Sequence, residues 1–386
     1  MSKHDFTEAE FRERQARVRR AVGAAGLDWL IVFHPVSIHW LIGAEAKSYQ
    51  AFQCLPVSSE DRPLVMFTRE SERCEFENDT LADDVVGWGG GEPEDPVDAF
   101  ARLADRLGLR WVRVGMEVPA YYLHPHHYVR LKALLGAALV SEPSNLVHDL
   151  KLVKSPAEIA LIREAARIAD DAMQACVATF REGQTELQVA GAVYHALLTA
   201  GSGLPASTIN LVSGERLGFS HGAPTLRRIQ LGDGGNVELG ATYKRYTATL
   251  GRQFSVGSPP ARIREIYDVV RTAGDAMIAE IRPGAPATRP HEAAKRVIAE
   301  AGYDRYRIHT SGYGIAPGVP PASGEPLNLF GGSPYRLEPG MMVSVEPPIF
   351  ISEERIGARI IDNVLITETG AERLSSSGRE LIVIDA

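Results

Sequence analysis

The chain has 386 residues, 45% of them hydrophobic and 23% charged, with a formal net charge of −8. That length can bury the cores of two domains, and the acidic balance argues against nucleic acid as the main partner. Cys54, Cys74 and Cys176 are scattered, with no spacing for a thiolate metal site or a disulfide framework, and fit a reducing cytoplasm. The charged opening "MSKHDFTEAEFRERQARVRR" lacks the apolar core of a signal peptide. No apolar run approaches the roughly 20 residues of a membrane span. A soluble, cytoplasmic protein with no membrane partner is expected.

In chain order, the first half alternates helix and strand signals. "FRERQARVRRAVGAAG" has helical apolar spacing and stops at Gly26. "LDWLIVF" and "PLVMFT" read as buried strands, "PVDAFARLADRLG" as an amphipathic helix stopped by Gly108, and "RWVRVGME" as a further strand. The glycine-rich "VVGWGGGEPEDP" opens no helix after a strand and reads as a loop rather than a nucleotide fingerprint. Such alternation predicts helices packed on a sheet.

A boundary is expected near "VSEPSNLVHDLKLVKSPAEIALIREAARIADDAM". There Ser155, Pro156 and Glu158 form a capping box with proline in its favoured slot, and a helix runs to about Phe180. A second helix follows at "ELQVAGAVYHALLTAG", then strands. Two more helices come at "ARIREIYDVVRTAGDAMIAEI" and "HEAAKRVIAEAG", and a strand-rich close runs from Met341 to Asp385. Helix pair, strands, helix pair, strands predicts a duplication around one sheet.

Within the first strand set, "NVELGATYKRYTATLGRQF" (Asn236–Phe254) reads as two strands with a hydrophobic lead-in, a glycine turn and an arginine-anchored second half. With "LKLVKSPAEIALIREA", "LEPGMMVSVEPPIF" and "GARIIDNVLITETGAERLS" it resembles, in order and spacing, the pita-bread fold family. That family includes methionine aminopeptidase, aminopeptidase P, prolidase and creatinase. The resemblance covers residues 145–386, and the N-terminal part is similar to the small domain of the creatinase and prolidase branch. It implies an α/β (α+β) protein. Residues 1–147 would form a small creatinase-type α/β domain. Residues 148–386 would form a pita-bread catalytic domain, with pseudo-duplicated helix pairs around a curved antiparallel sheet.

The resemblance also implies five metal-ligand positions, filled in the family's metallopeptidases by two Asp, one His and two Glu. Here they fall on Glu238, Thr249, Tyr313, Glu346 and Ile361, with Asp362 beside the last. Two divalent ions need bridging carboxylates to balance about four positive charges, which Thr, Tyr and Ile do not supply. Asp362 could substitute only by a strand slip, which would flip its side chain to the other face. The expectation is therefore no metal and no other cofactor. What the resemblance then implies is the creatinase and ectoine hydrolase branch: metal-independent hydrolysis of a C–N bond in a small, nitrogen-rich amidine, guanidino or amide compound.

In that reading His221 of "FSHGAPTLRR" is the catalytic acid/base, since a histidine exchanges a proton near neutral pH. Its bland alternative is a loop histidine, one of eleven in the chain. Glu238 and Glu346 would grip a cationic group, or one of them would act as a nucleophile; the bland alternative for Glu238 is a solvated strand residue. Tyr246 of "YKRY" and Tyr313 are candidate substrate contacts, Tyr313 as hydroxyl donor or as plain packing. Arg252 either braces the strand or meets a substrate carboxylate. In "KSYQAFQCL", after Lys47, the residues Tyr49, Phe52 and Gln53 are candidate lid residues across a homodimer. The alternatives are an Xaa-Pro dipeptidase or aminopeptidase using a depleted metal site, and a non-catalytic scaffold.

Overall fold

Capping chemistry sets the ends of most helices. The computed structural model describes residues 2–45, 48–119, 121–143, 145–205 and 207–385, which leaves Lys47 outside the described residues. The chain divides into two compact units, Met1–Lys151 and Leu152–Ala386.

In the first unit the helix Glu8–Ala24 starts at Thr7, whose side chain accepts from the Glu10 amide. Asp95 caps Pro96–Leu107, and Gly108 ends it in the left-handed region, the two favoured terminus devices. Four strands form one sheet in the order Leu55–Ser58, Trp29–Val32, Val114–Met116, Leu139–Ser141. The first pairing is antiparallel and the others are parallel. A second, two-stranded sheet pairs Val65–Arg69 with Asp84–Trp88 in parallel. Residues read as loop in "VVGWGGGEPEDP" are thus strand up to Trp88. A partner strand supplies the hydrogen bonds there, and the loop begins only at the glycines.

In the second unit the expected capping box is present. The Ser155 hydroxyl accepts from the Glu158 amide, and the Glu158 carboxylate reaches back. The helix that follows, Pro156–Thr179, packs with Glu186–Thr199 over the hairpin Gly234–Tyr243/Tyr246–Val256, burying Ile168, Phe180, Val193, Val237, Leu239 and Phe254. The second helix pair, Ala261–Glu280 and Thr288–Glu300, buries Tyr267, Val270 and Met277 against Val343, Val345 and Ile360. One nine-stranded sheet joins the halves among the described residues. Its main path runs Ala371–Arg373, Asp362–Ile366, Met342–Val345, Tyr313–Val319, Tyr246–Val256, Gly234–Tyr243, Asn210–Ser213. A separate hairpin pairs Pro348–Ile351 with Ile356–Arg359.

The central hairpin departs from the reading of its turn. Tyr243 pairs with Tyr246, so the turn is Lys244–Arg245, both at positive φ (48° and 65°). Positive φ at both central positions is the primed turn whose twist matches the strands, and it is normally made with Asn or Gly. Gly240 lies inside the first strand instead.

Candidate functional site

Strand alternation builds the site's floor. Glu238, Gly240 and Thr242 share one face of the hairpin opposite Gly251, Thr249 and Thr247, while Val237 and Leu239 face the core. Glu238 is half-buried. Its Oε2 accepts from Asn210 Nδ2 at 2.9 Å and from Arg359 Nη2. Arg359 ends the Ile356–Arg359 strand and is only 1% exposed. Its Nη2 also donates to the Ser220 carbonyl at 2.9 Å. Its Nε and Nη1 find no acceptor among the described residues, an expensive state for a buried cation.

Glu346 follows the strand Met342–Val345 and is fully buried. Its amide donates to the Ser311 carbonyl at 2.8 Å. Its Oε1 accepts from Ser344 Oγ at 3.0 Å, and the Tyr313 hydroxyl donates to the carboxyl. Burial, followed by the charge of Glu238, pushes the Glu346 carboxyl up to about 8 against the opposition of Arg359. Burial also raises the Tyr313 hydroxyl, with Glu346 and Glu238 adding to it. At neutral pH Glu346 is therefore largely a neutral acid, next to a neutral phenol.

Histidines supply the bases. His221 is half-buried in a loop, and its ring centroid lies 5.0 Å from that of His309. Burial lowers both below the ordinary imidazole value, Arg359 lowers them further, and Glu238 partly offsets this. Both rings are thus neutral at pH 7, able to accept a proton. His221, Glu238, Tyr313 and Glu346 therefore share one electrostatic neighbourhood, centred on the Glu238–Arg359 pair. Asn210, His309 and Arg359 belong to it and had not been singled out. The available signals were small: His309 precedes Tyr313 by four residues, and Arg359 precedes Ile361 by two, on the same side by alternation.

The other named residues lie elsewhere. Arg252 is fully buried and braces the strands. It donates to Asp362 Oδ1 at 2.8 Å, the Ile361 carbonyl at 2.9 Å and the Gly378 carbonyl at 2.6 Å, so it is not presented to a substrate carboxylate. Tyr246 is buried and its hydroxyl donates to Glu158 Oε1 at 2.7 Å, a packing role rather than a substrate contact. Phe52 sits in the aromatic core of the first unit against Phe33, Phe67 and Phe100. Gln53 is also buried, 3% exposed. Neither has a free face for the lid expected of them. Tyr49 keeps partial exposure and meets Tyr122 edge-on at 5.9 Å.

A dinuclear metal centre, which the fold family implies, does not fit these donors. Thr249 is tied to Asn363 by hydrogen bonds of 2.6 and 2.9 Å. Ile361 fills the space over Gly251, where a Cβ would meet its Cγ1 at 2.8 Å. Asp362 points away, held by Arg252, Arg379 and Arg373. Glu238 is paired with a guanidinium and Glu346 holds its proton, whereas a metal ligand must give it up. Among the described residues no three His, Cys, Asp or Glu side chains gather as a metal site would need.

Known proteins correct part of the expected chemistry. Residues 160–368 match the model of metallopeptidase family M24, and residues 14–153 that of the creatinase/prolidase N-terminal domain. An Xaa-Pro dipeptidase of Pyrococcus horikoshii is 34% identical over 294 residues, 74% of this chain and 80% of the relative. The crystal structure of dipeptidase PepE from Mycobacterium ulcerans superposes with a TM-score of 0.85 at 27% identity, covering 99% of this chain and 100% of that one. An Xaa-Pro dipeptidase structure from Bacillus anthracis gives 0.83 at 27% identity, covering 97% and 99%. These relatives are peptidases, not creatinases or ectoine hydrolases. They overturn the expected metal-independent hydrolysis of amidine or guanidino compounds, which rested on the missing ligands and on the resemblance of His221 and the two carboxylates to the creatinase and ectoine hydrolase branch. The two-domain fold expected from the sequence is the one these proteins share. The chain belongs to metallopeptidase family M24.

Proposed function

We propose that the chain is a dipeptidase of the Xaa-Pro type, hydrolysing the amide bond of a short peptide over the hairpin face that carries Glu238. The relatives support the peptide substrate. The observation that carries the assignment to this place is the donor set around Glu238. Arg359 has two buried nitrogens, Nε and Nη1, without an acceptor among the described residues, beside Glu346 held in its acid form.

A dipeptide offers the groups such a site wants. Its C-terminal carboxylate is a charge-matched acceptor for one of these guanidinium nitrogens. Its scissile carbonyl oxygen takes a hydrogen bond from the Glu346 acid, itself supported by the Tyr313 hydroxyl, and that bond strengthens as negative charge develops on the oxygen. Neutral His221 takes a proton from the attacking water as its oxygen bonds to the carbonyl carbon. The resulting imidazolium then gives that proton to the leaving nitrogen as the C–N bond breaks. The products are a carboxylic acid and an amine, and every proton is accounted for. His309, close enough to sense the same charges, positions His221. No step runs through a metal ion, because the donors do not fit one.

The test is hydrolysis of Ala-Pro and Gly-Pro by purified protein, with Ala-Ala and N-acetyl-Ala-Pro as controls, without and with added Mn2+, Co2+ or Zn2+. Release of proline that is lost in Arg359→Met supports the reading. No cleavage of any dipeptide under any metal condition refutes it.

A further inference from the structure

In the first unit, the parallel strands Val65–Arg69 and Asp84–Trp88 end side by side, with Arg69 and Trp88 as register partners. The chain leaves these two ends towards opposite faces. After the first strand, the helix Arg73–Asp79 buries Phe76 with Met66 and Val85. After the second, a glycine run leads into the helix Pro96–Leu107, which buries Phe100 with Val65 and Phe67. Such a reversal between neighbouring parallel strands opens a crevice outside their carboxyl ends, the usual seat of a ligand in α/β sheets. Here the crevice has a volume of about 530 Å³ and is lined by Arg69, Glu70, Trp88, Glu92, Glu94 and the glycines at 89–91. That volume falls in the range of small-molecule sites.

The charges of the walls select the guest. Arg69 is neutralised by Glu72 at 3.0 Å and tied to Ser48 Oγ at 2.9 Å. Glu94 accepts from the Gly89 amide at 2.9 Å and pairs with Arg102. Glu70 and Glu92 accept no hydrogen bond among the described residues. Arg73 stands 3.8 Å from Glu70 but is bonded at 2.6 Å to Glu77. The Glu70 carboxylate lies against the second strand where Gly87 leaves room, since a Cβ at that position would collide with its Oε2. Trp88 Nε1 donates to the Phe52 carbonyl at 2.9 Å, which fixes the indole. A phosphate is refused, because Asp95 already takes the first amides of the helix Pro96–Leu107 and the unpaired wall charges are negative. We propose that this crevice binds a small organic ammonium compound, its cationic head between the Glu70 carboxylate and the face of Trp88. Glu92 adds negative potential from the rim. No residue of the hairpin site takes part, so the inference stands apart from the dipeptidase reading.

Binding can be read without turnover. Full-length protein carrying ¹⁵N-tryptophan gives one indole N–H signal each for Trp29, Trp40, Trp88 and Trp111, and Trp88→Phe identifies the signal of the crevice. Phenethylammonium is titrated in, with 2-phenylethanol as its neutral and phenylacetate as its anionic counterpart. The expected result is a saturable shift of the Trp88 signal by the ammonium compound, with the alcohol at least tenfold weaker and no effect of the anion. Glu70→Gln should weaken the ammonium compound by roughly tenfold or more. Gly87→Ala, whose methyl displaces the Glu70 carboxylate, should do the same. The signals of Trp29, Trp40 and Trp111 report whether each variant is folded; if Gly87→Ala disturbs them, Glu70→Gln alone decides. No saturable shift of the Trp88 signal would overturn the proposal. So would equal binding of ammonium and alcohol, which marks a plain apolar patch, or wild-type affinity in Glu70→Gln. Each of these outcomes is the same whether or not the protein cleaves a dipeptide.

Discussion

At the scale of single residues, the site is governed by one buried carboxyl that keeps its proton. Glu346 is raised from the ordinary 4.5 to about 8. Between those values the folded chain holds a proton that the unfolded chain has released, so this group lowers stability as pH climbs through the window. Glu346→Gln should therefore remove that slope. In urea unfolding at pH 5 and pH 9, the variant should lose less stability between the two than wild type, by on the order of a few kcal/mol. An identical pH dependence in both proteins would mean that Glu346 ionises normally. In catalysis the same group donates only while protonated, so turnover should fall as pH passes about 8. The acid limb should lie below the ordinary imidazole range, because His221 is lowered. His221→Ala should reduce turnover by about 10²–10⁴-fold, the usual worth of a positioned proton carrier, with smaller change in KM. A variant as fast as wild type would remove His221 from the mechanism.

At the scale of elements, the hairpin is pinned by a buried ion cluster. Arg252 and Asp362 are both fully buried, 2.8 Å apart, and Arg379 closes on the second oxygen of Asp362 at 2.8 Å. Removing one partner leaves an uncompensated charge in the interior, so Arg252→Met should cost about 3–5 kcal/mol in denaturant unfolding. A loss below about 1 kcal/mol would show that the other arginines of the cluster suffice. Elements were where the sequence was most readable. Ser155, Pro156 and Glu158 announce their helix because a capping box is a local interaction. Glu238 and Glu346 could be placed by the motifs around them. The hairpin turn could not, because glycine is the strongest turn signal and here Gly240 lies in mid-strand, while Lys244 and Arg245 take the left-handed turn. Arg359 was equally hidden. It meets Glu238 across 121 positions of chain, and a pairing of that range leaves no periodic trace. Phe52 was misjudged because an aromatic stretch reads the same in a core as on a lid.

At the scale of the whole molecule, two facts pull in different directions. The chain belongs to a metallopeptidase family and is similar over nearly its full length to proteins that are dipeptidases, and the local chemistry at the five ligand positions does not suit a pair of metal ions. The amidine-hydrolase expectation resolved this by changing the substrate. The relatives argue for keeping the peptide and asking which groups of this chain handle its charges. Arg359 is the sharpest answer, a buried guanidinium with unmet donors at the centre of the site. The most direct measurement is proline release from Ala-Pro by wild type and by Arg359→Met, in chelator-treated buffer and with Mn2+, Co2+ or Zn2+ restored. The account predicts cleavage by wild type and a loss of roughly tenfold or more in kcat/KM in the variant. Failure of wild type to cleave Ala-Pro under every condition, or undiminished cleavage by the variant, would contradict it.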